Sequence, residues 1–469
     1  MKFLFIQKSA FPLAGVMSLG AVIKKTGWQV DLVLAGEEDI LKKVWEFQPQ
    51  VVAFPVFTGE HQWVLRQARV LKKKHPRIFI LLGGSHPTYY PDIVKEKGVD
   101  GIIRGEAEGA VLDLLKALEQ KKSLTKIKNL WLKKGKRIHK NPLRPLIEDL
   151  DSLPVPLRGI YYQYNFLKNA SVKQFLTGRG CPYNCTFCSN HLLRQMYQGK
   201  GKYLRRHSPL RVIQEIKEVW EKYGFKTISF TDDVFTVDKN WLKEFLPLYR
   251  KKIGVPFMVN VTANSLDEEL AKMLKKAGCY GIAMGIESGS QEMRFKVLKK
   301  FITDKQIFEG GRLAKKYNLV LKTYNILSLP GETLQDAIKT IKINAALKPL
   351  SATASLLQPY PDYEITRYAA RKGFLAKNFG IDDVFESIYL ASPIKGKESQ
   401  EIENLQAFFP FLVAHPKFIP LVKPLLRLPF RWLFRLVARI TYGFYMSRVH
   451  RLSLLDKIRF LHHIDPLKV

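Results

Sequence analysis

Apolar positions in the N-terminal part of the chain fall in short runs rich in β-branched residues. KFLFI (2 to 6), QVDLVLA (29 to 35), VVAFPVF (51 to 57), IFILLGG (78 to 84) and GIIRGE (101 to 106) read as buried parallel strands, because both faces are apolar. Between them the period lengthens to that of a helix. EHQWVLRQARVLKKKH, for example, places Trp63, Leu65, Ala68 and Leu71 roughly on one face. This alternation predicts an α/β fold whose residues 1–140 form a doubly wound, Rossmann-like sheet, with its ligand outside the carboxyl ends of the strands. Those ends carry TGEH (58 to 61), GGSHPT (83 to 88) and RGEAEG (104 to 109), where glycines let backbone approach a ligand closely.

Residues 141–170 are expected to be a linker, opening with NPLRPLIEDLDSLPVPLR, which holds four prolines and no periodicity. A second α/β run fills residues 171–375. VKQFLTG (172 to 178), KTISFTDD (226 to 233), PFMVNVT (256 to 262), YGIAMGIES (280 to 288), NLVLKTYNI (318 to 326) and SATASLLQ (351 to 358) are six strands, each followed by a helical stretch. Six such units predict a partial, TIM-like (β/α)6 barrel with its chemistry at the carboxyl ends of its strands. Residues 376–469 form a helical, basic and amphipathic C-terminal extension that matches no cofactor motif.

Composition narrows the classes. A chain of 469 residues that is 46% hydrophobic and 25% charged can bury a large core in two or three domains. Four cysteines in that length are not a disulfide framework and point to a reducing, cytoplasmic setting. MKFLFIQKSA reads as a first strand rather than a signal peptide, since Gln7 and Lys8 interrupt its apolar run. No apolar stretch approaches the roughly 18 to 20 residues of a membrane-spanning helix. The formal charge of +34 attracts nucleic acid, anionic lipid or acidic substrates without choosing among them.

Three of the four cysteines stand together in RGCPYNCTFCSN (179 to 190), spaced C-x-x-x-C-x-x-C directly after the first barrel strand. Structural zinc sites use four ligands, and iron-sulfur clusters usually use four cysteines. Cys279 lies far along the chain in KKAGCYG and reads as a small packed hydrophobe. Three ligands on a four-iron cluster leave one iron open, as a working site requires.

CPYNCTFC resembles the cluster loop of radical S-adenosylmethionine (SAM) enzymes. FTDDVFT (230 to 236), GIESGSQE (285 to 292), LPGET (329 to 333) and PYP (359 to 361) follow in order at later strand ends. With GGSHPT and GEAE in the N-terminal sheet, residues 1–375 resemble the cobalamin-binding class of that superfamily, which includes methyltransferases and anaerobic porphyrin-ring cyclases. The resemblance implies that Cys181, Cys185 and Cys188 hold a [4Fe-4S] cluster whose open iron takes SAM, and that an electron from an external donor cleaves SAM to a 5′-deoxyadenosyl radical. It further implies that Phe187 shields the cluster, that Asp232 or Asp233 accepts from the SAM amino group, and that Glu287 accepts from its ribose with Gly285 and Ser288 alongside. Gly83, Gly84, Ser85, His86, Thr88, Gly105 and Glu106 are then the expected cobalamin contacts, without a histidine ligand to cobalt because D-x-H-x-x-G is absent. No catalytic residue is assigned. Thr262 stands where relatives often place arginine, and PYPDYE replaces the commoner Pro-Gly-Thr.

The tail suggests a substrate class. Arg427, Arg431, Arg435 and Arg439 recur every four residues beside Trp432, Leu433, Leu436, Val437, Ile440 and Phe444, and residues 417 to 469 hold eleven Lys or Arg against two Asp. Two readings stay open: a helix that docks on an anionic membrane, or a cap that closes the barrel with its arginines solvated. The expectation is a cytoplasmic enzyme that methylates an apolar or lipid-like small molecule, with peripheral contact at the inner membrane surface on the first of those two readings. The alternatives are a cobalamin-dependent cyclase or rearrangement enzyme, an RNA-modifying enzyme, and a non-catalytic regulator. Nucleic acid is not the expected partner, because the transfer-RNA methylthiotransferases that this chain resembles carry N-terminal cysteines, and residues 1 to 180 contain none.

Overall fold

The structure, a computed structural model, describes residues 1–449 and divides into two compact units, Met1–Asn169 with Leu193–Arg205, and Ala170–Leu192 with the described residues from Arg206 on. The part of the basic tail from 450 on lies outside the described residues.

In the first unit, β1 (Lys2–Gln7), β2 (Gln29–Leu34), β3 (Val51–Pro55), β4 (Phe79–Gly83) and β5 (Gly101–Ile103) pair in parallel in the order β2-β1-β3-β4-β5. The helices α1 (Ala14–Lys25), α2 (Ile40–Phe47), α3 (His61–Lys74), the short α4 (Ser85–Tyr89) and α5 (Glu108–Glu119) connect them or follow β5. Asp39 and Gly84 start their helices differently: Asp39 caps α2 by accepting from Lys42 N–H, whereas Gly84 turns the chain with φ +99. On α3, Val64, Leu65, Ala68 and Leu71 are buried against the sheet while Trp63 packs at its margin. Two antiparallel strands, β6 (Leu130–Lys134) and β7 (Arg137–Lys140), extend the sheet beyond β5. The proline-rich strap after β7 runs over this unit, burying Leu146 and Leu150.

The second unit is a curled half-barrel. Strands β8 (Val172–Phe175), β9 (Thr227–Phe230), β10 (Phe257–Val261), β11 (Cys279–Glu287), β12 (Val320–Leu327) and β13 (Ser351–Leu356) are all parallel and adjacent in chain order. The helices α6 (Pro209–Tyr223), α7 (Lys239–Lys252), α8 (Glu268–Ala277), α9 (Asp304–Lys316) and α10 (Leu334–Leu347) lie between successive strands. Ser208, Asp238, Asp267, Thr303 and Thr333 cap these five, so each strand-to-helix turn is fixed locally.

An open sheet leaves an edge strand with unpaired backbone groups. Here two C-terminal helices cover β13: α11 (Ser399–Ala414) and α12 (Arg431–Val449). The fully buried Tyr442 donates its hydroxyl to Ala354 O (2.8 Å) and accepts from Ala354 N–H (3.2 Å), and Gln406 donates to the same carbonyl. One face of α12 therefore acts as the expected cap. Among the described residues no helix is long and apolar enough to cross a membrane.

Candidate functional site

The cysteine segment leaves β8 at the carboxyl end of the half-barrel. Thr186, inside the motif and buried, pins it there: its hydroxyl donates to Val297 O (2.7 Å), its N–H donates to Leu298 O (3.0 Å), and its carbonyl accepts from Ile365 N–H. Tyr183 ties the same loop to the end of β10, its hydroxyl 3.1 Å from Thr262 Oγ1 and 3.2 Å from Asn264 Oδ1. Phe187 packs against the apolar cluster that includes Leu298, Leu329 and Leu357.

Burial raises all three thiols. Cys181 is pushed up to about 11 and Cys185 to about 12, with Cys188 raised in the same direction. Cys181 also feels the charge of Cys188, and Cys185 feels those of both Cys188 and Cys181. Opposing the burial are the Tyr183 backbone N–H at Cys181, the Asn190 amide 3.6 Å from Cys188 Sγ, and the Lys300 charge acting on Cys181 and Cys185. That donor set fits an iron-sulfur cluster, which is bound by thiolates and tuned by N–H donors and nearby charge. Among the described residues no three His, Cys, Asp or Glu side chains, the three cysteines of the loop included, are grouped closely enough to hold a metal ion. Cys279 stays apart, buried at the start of β11 with its thiol donating to Gly281 O.

Asp232 and Asp233, adjacent after β9, have separate surroundings. Asp232 is buried and accepts from Thr177 N–H and Oγ1–H (2.6 Å for the latter), with Arg206 3.7 Å away. It therefore locks the end of β9 to the end of β8. Asp233 is exposed, accepts from Asn190 at 3.0 Å, and its charge reaches Cys181 and Cys188.

At the end of β11 the ladder slips between Gly285 and Glu287, and Glu287 adopts φ +66. Such a bulge with a strained non-glycine residue is a device that re-aims a side chain. Glu287, 8% exposed, accepts from Lys300 Nζ at 2.7 Å. Any side chain at Gly285 would collide with this pair, since a Cβ there would lie 2.3 Å from Glu287 Oε1. Ser288 is fully buried and its carbonyl accepts from Arg294. Arg294, itself fully buried in a π-helical turn, also donates to Ile302 O and pairs with Asp304. It holds the 288–304 segment under the cysteine loop.

The loop after β12 contains a feature that sequence reasoning missed. Glu332 is buried, accepts from Leu329 N–H through Oε2, and is raised by burial to about 8. Its Oε1 and the hydroxyl of Ser328 are buried without a hydrogen-bond partner among the described residues, and Ser328 sits at φ +59. The signal available was the acidic residue within LPGET.

In the first unit, the expected cobalamin residues line the carboxyl ends of β4 and β5. His86 is buried, stacks on His61 at 4.4 Å and lies 3.1 Å from Thr58 Oγ1. Thr88 donates to Gly84 O and accepts from Gly105 N–H, joining the two loops. No atom stands within 4 Å of where a Cβ of Gly83 would be, so backbone is open to a flat ligand beside Ser85. Gly83, Gly84 and Ser85 thus leave room for a flat ligand, whereas His86 and Thr88 are buried and engaged within the protein. Glu106 is instead engaged by Arg205 (2.8 and 3.1 Å) and Ile147 N–H.

Comparison with known proteins follows the same division. The radical SAM superfamily model matches residues 175–343 and the B12 binding domain model matches residues 8–115. An uncharacterized methyltransferase of Pyrococcus horikoshii is 30% identical over 72% of this chain and 73% of its own length. The anaerobic magnesium-protoporphyrin IX monomethyl ester cyclase of Rubrivivax gelatinosus is 26% identical over 75% of this chain and 65% of its own, so the chain spans just under two thirds of that relative. The structure of the cobalamin-dependent SAM radical enzyme OxsB, with aqua-cobalamin and SAM bound, superposes with a TM-score of 0.69 at 15% identity, covering 99% of this chain and 75% of that one. At that identity the likeness is one of fold.

Proposed function

The chain belongs to the radical SAM superfamily, in its cobalamin-binding class, and from that premise we propose that it methylates an unactivated carbon of an apolar or lipid-like small molecule. A [4Fe-4S] cluster, SAM and cobalamin are the cofactors of the two domains it carries. When bound, they supply a radical that removes a substrate hydrogen and a methyl group that replaces it.

Cys181, Cys185 and Cys188 would hold the cluster, with Thr186 fixing their loop and Asn190 donating to Cys188. Asp233 is the acceptor for the SAM amino group, its neighbour Asp232 being committed to Thr177 and Arg206. Glu287 offers an acceptor for ribose hydroxyls, aimed by its bulge and steadied by Lys300. Phe187 excludes water on the side of the apolar cluster. Gly83, Gly84, Ser85, His86 and Thr88 would hold cobalamin at the carboxyl end of β4, with Gly105 and Glu106 shaping the neighbouring loop after β5. An external electron donor is required.

The observation that carries the reading is the single cysteine loop pinned by Thr186 at the carboxyl end of a six-stranded parallel half-barrel. Methyl transfer is preferred because a relative at 30% identity is named an uncharacterized methyltransferase. The second reading, cyclisation without methyl transfer, rests on the likeness to the anaerobic cyclase. Anaerobic reconstitution with iron, sulfide, cobalamin and SAM, then incubation with a lipid extract, separates them. Both 5′-deoxyadenosine and S-adenosylhomocysteine are expected for methylation, and deoxyadenosine alone for cyclisation.

A further inference from the structure

We propose that the outward face of α12 is a docking surface for an anionic lipid bilayer. The helix is two-sided at its own scale. Phe434, Ala438 and Tyr442, spaced four apart, are buried against α11 and the barrel edge. Turned away from them, Trp432 (69% exposed), Leu433, Leu436, Ile440 (64%) and Phe444 (58%) form a continuous apolar stripe. The fold has already used the face that closes the half-barrel, so this second stripe contributes nothing to the cap. In the preceding turns Leu421, Leu425 and Phe430 are exposed as well. A contiguous apolar surface of this kind on a basic helix marks an interaction site.

Charge selects the occupant. From Lys417 to Val449 the sequence holds seven Lys or Arg and no Asp or Glu. At 100° per residue, Arg435 and Arg439 border the apolar stripe on one flank. A second copy of the same surface would bring like charges together. Nucleic acid would meet the arginines but offers no medium for leucine and isoleucine. An anionic bilayer supplies both: headgroups for arginines that extend along the surface and acyl chains for the stripe. With no helix able to span the membrane among the described residues, the contact lies in the plane of the interface.

The test uses the full-length chain at physiological salt, co-sedimented with phosphatidylcholine vesicles with or without phosphatidylglycerol. Binding is expected only when phosphatidylglycerol is present. The double variant Arg435→Gln, Arg439→Gln should lower that partition about 25-fold, from about fivefold per charge. A second variant, Trp432→Ala with Ile440→Ser, alters only exposed positions and should weaken binding while leaving the fold intact by circular dichroism. Binding to neither vesicle, equal binding to both, an undiminished arginine variant, or self-association that the second variant abolishes would each overturn the proposal. Cys185→Ser, which removes the cluster chemistry proposed above, should bind vesicles like the parent, so failure of one idea does not imply failure of the other.

Discussion

Lys300 Nζ donates to Glu287 Oε1 across 2.7 Å at the bulged end of β11, with both side chains almost entirely buried. The pair stands where the cysteine loop, the strained Glu287 backbone and the buried Arg294 converge. Removing one partner leaves a charge with neither water nor a counter-ion. We expect Lys300→Met to destabilise the fold by about 3 kcal/mol, whereas Lys300→Met with Glu287→Gln recovers much of that loss. Denaturant unfolding of the parent, both single variants and the double variant completes the cycle.

Glu332 predicts a pH dependence. Burial raises its carboxyl from an ordinary 4.5 to about 8, outweighing the Leu329 N–H bond that lowers it. Below pH 4.5 it is neutral in both folded and unfolded chains. Between 4.5 and 8 the unfolded chain gives up the proton and the folded chain keeps it, so its contribution to stability falls as pH rises and levels off above 8. Glu332→Gln should therefore be more stable than the parent by up to about 4 kcal/mol at pH 8.5, with the difference vanishing near pH 4. Chemical denaturation at both pH values checks this.

Thr186 holds the cysteine loop through a hydroxyl bond to Val297 O. Thr186→Val keeps the shape and strands a buried carbonyl, at a cost of about 1–3 kcal/mol. Iron retained after anaerobic reconstitution should fall although every cysteine is present. Full iron content with unchanged melting would show that the loop is held by other means.

Tyr442 closes the sheet edge by serving both backbone groups of Ala354. Tyr442→Phe should cost about 1–3 kcal/mol and speed hydrogen exchange at Ala354 and its β13 neighbours, leaving the N-terminal sheet unaffected.

Both sheets were legible in the sequence because parallel strands buried on two faces must be written as continuous β-branched runs. β6 and β7 escaped because LWLKK and RIHK form an antiparallel margin in which only Leu130 and Leu132 are buried. Spacing alone singled out the three cysteines. It carried no sign of Glu106 pairing with Arg205, or of Asp232 differing from Asp233, because those depend on which loops the fold brings together. Glu332 and Arg294 were unreadable for a related reason: a charged residue is assumed exposed until its burial is seen. The arginine and aromatic stripes of the tail were visible, but only the packing of Phe434, Ala438 and Tyr442 tells which face caps the barrel.

Ligation of a four-iron cluster by one loop of three cysteines is the claim on which the chemistry rests. Its most direct measurement is iron content and electron paramagnetic resonance of the reduced protein, with and without SAM, for the parent and for single alanine variants at the four cysteines. The parent and Cys279→Ala should hold about four iron atoms and change their spectrum when SAM is added, while the variants at Cys181, Cys185 and Cys188 lose both. A requirement for Cys279, or a full cluster indifferent to SAM, would contradict the account.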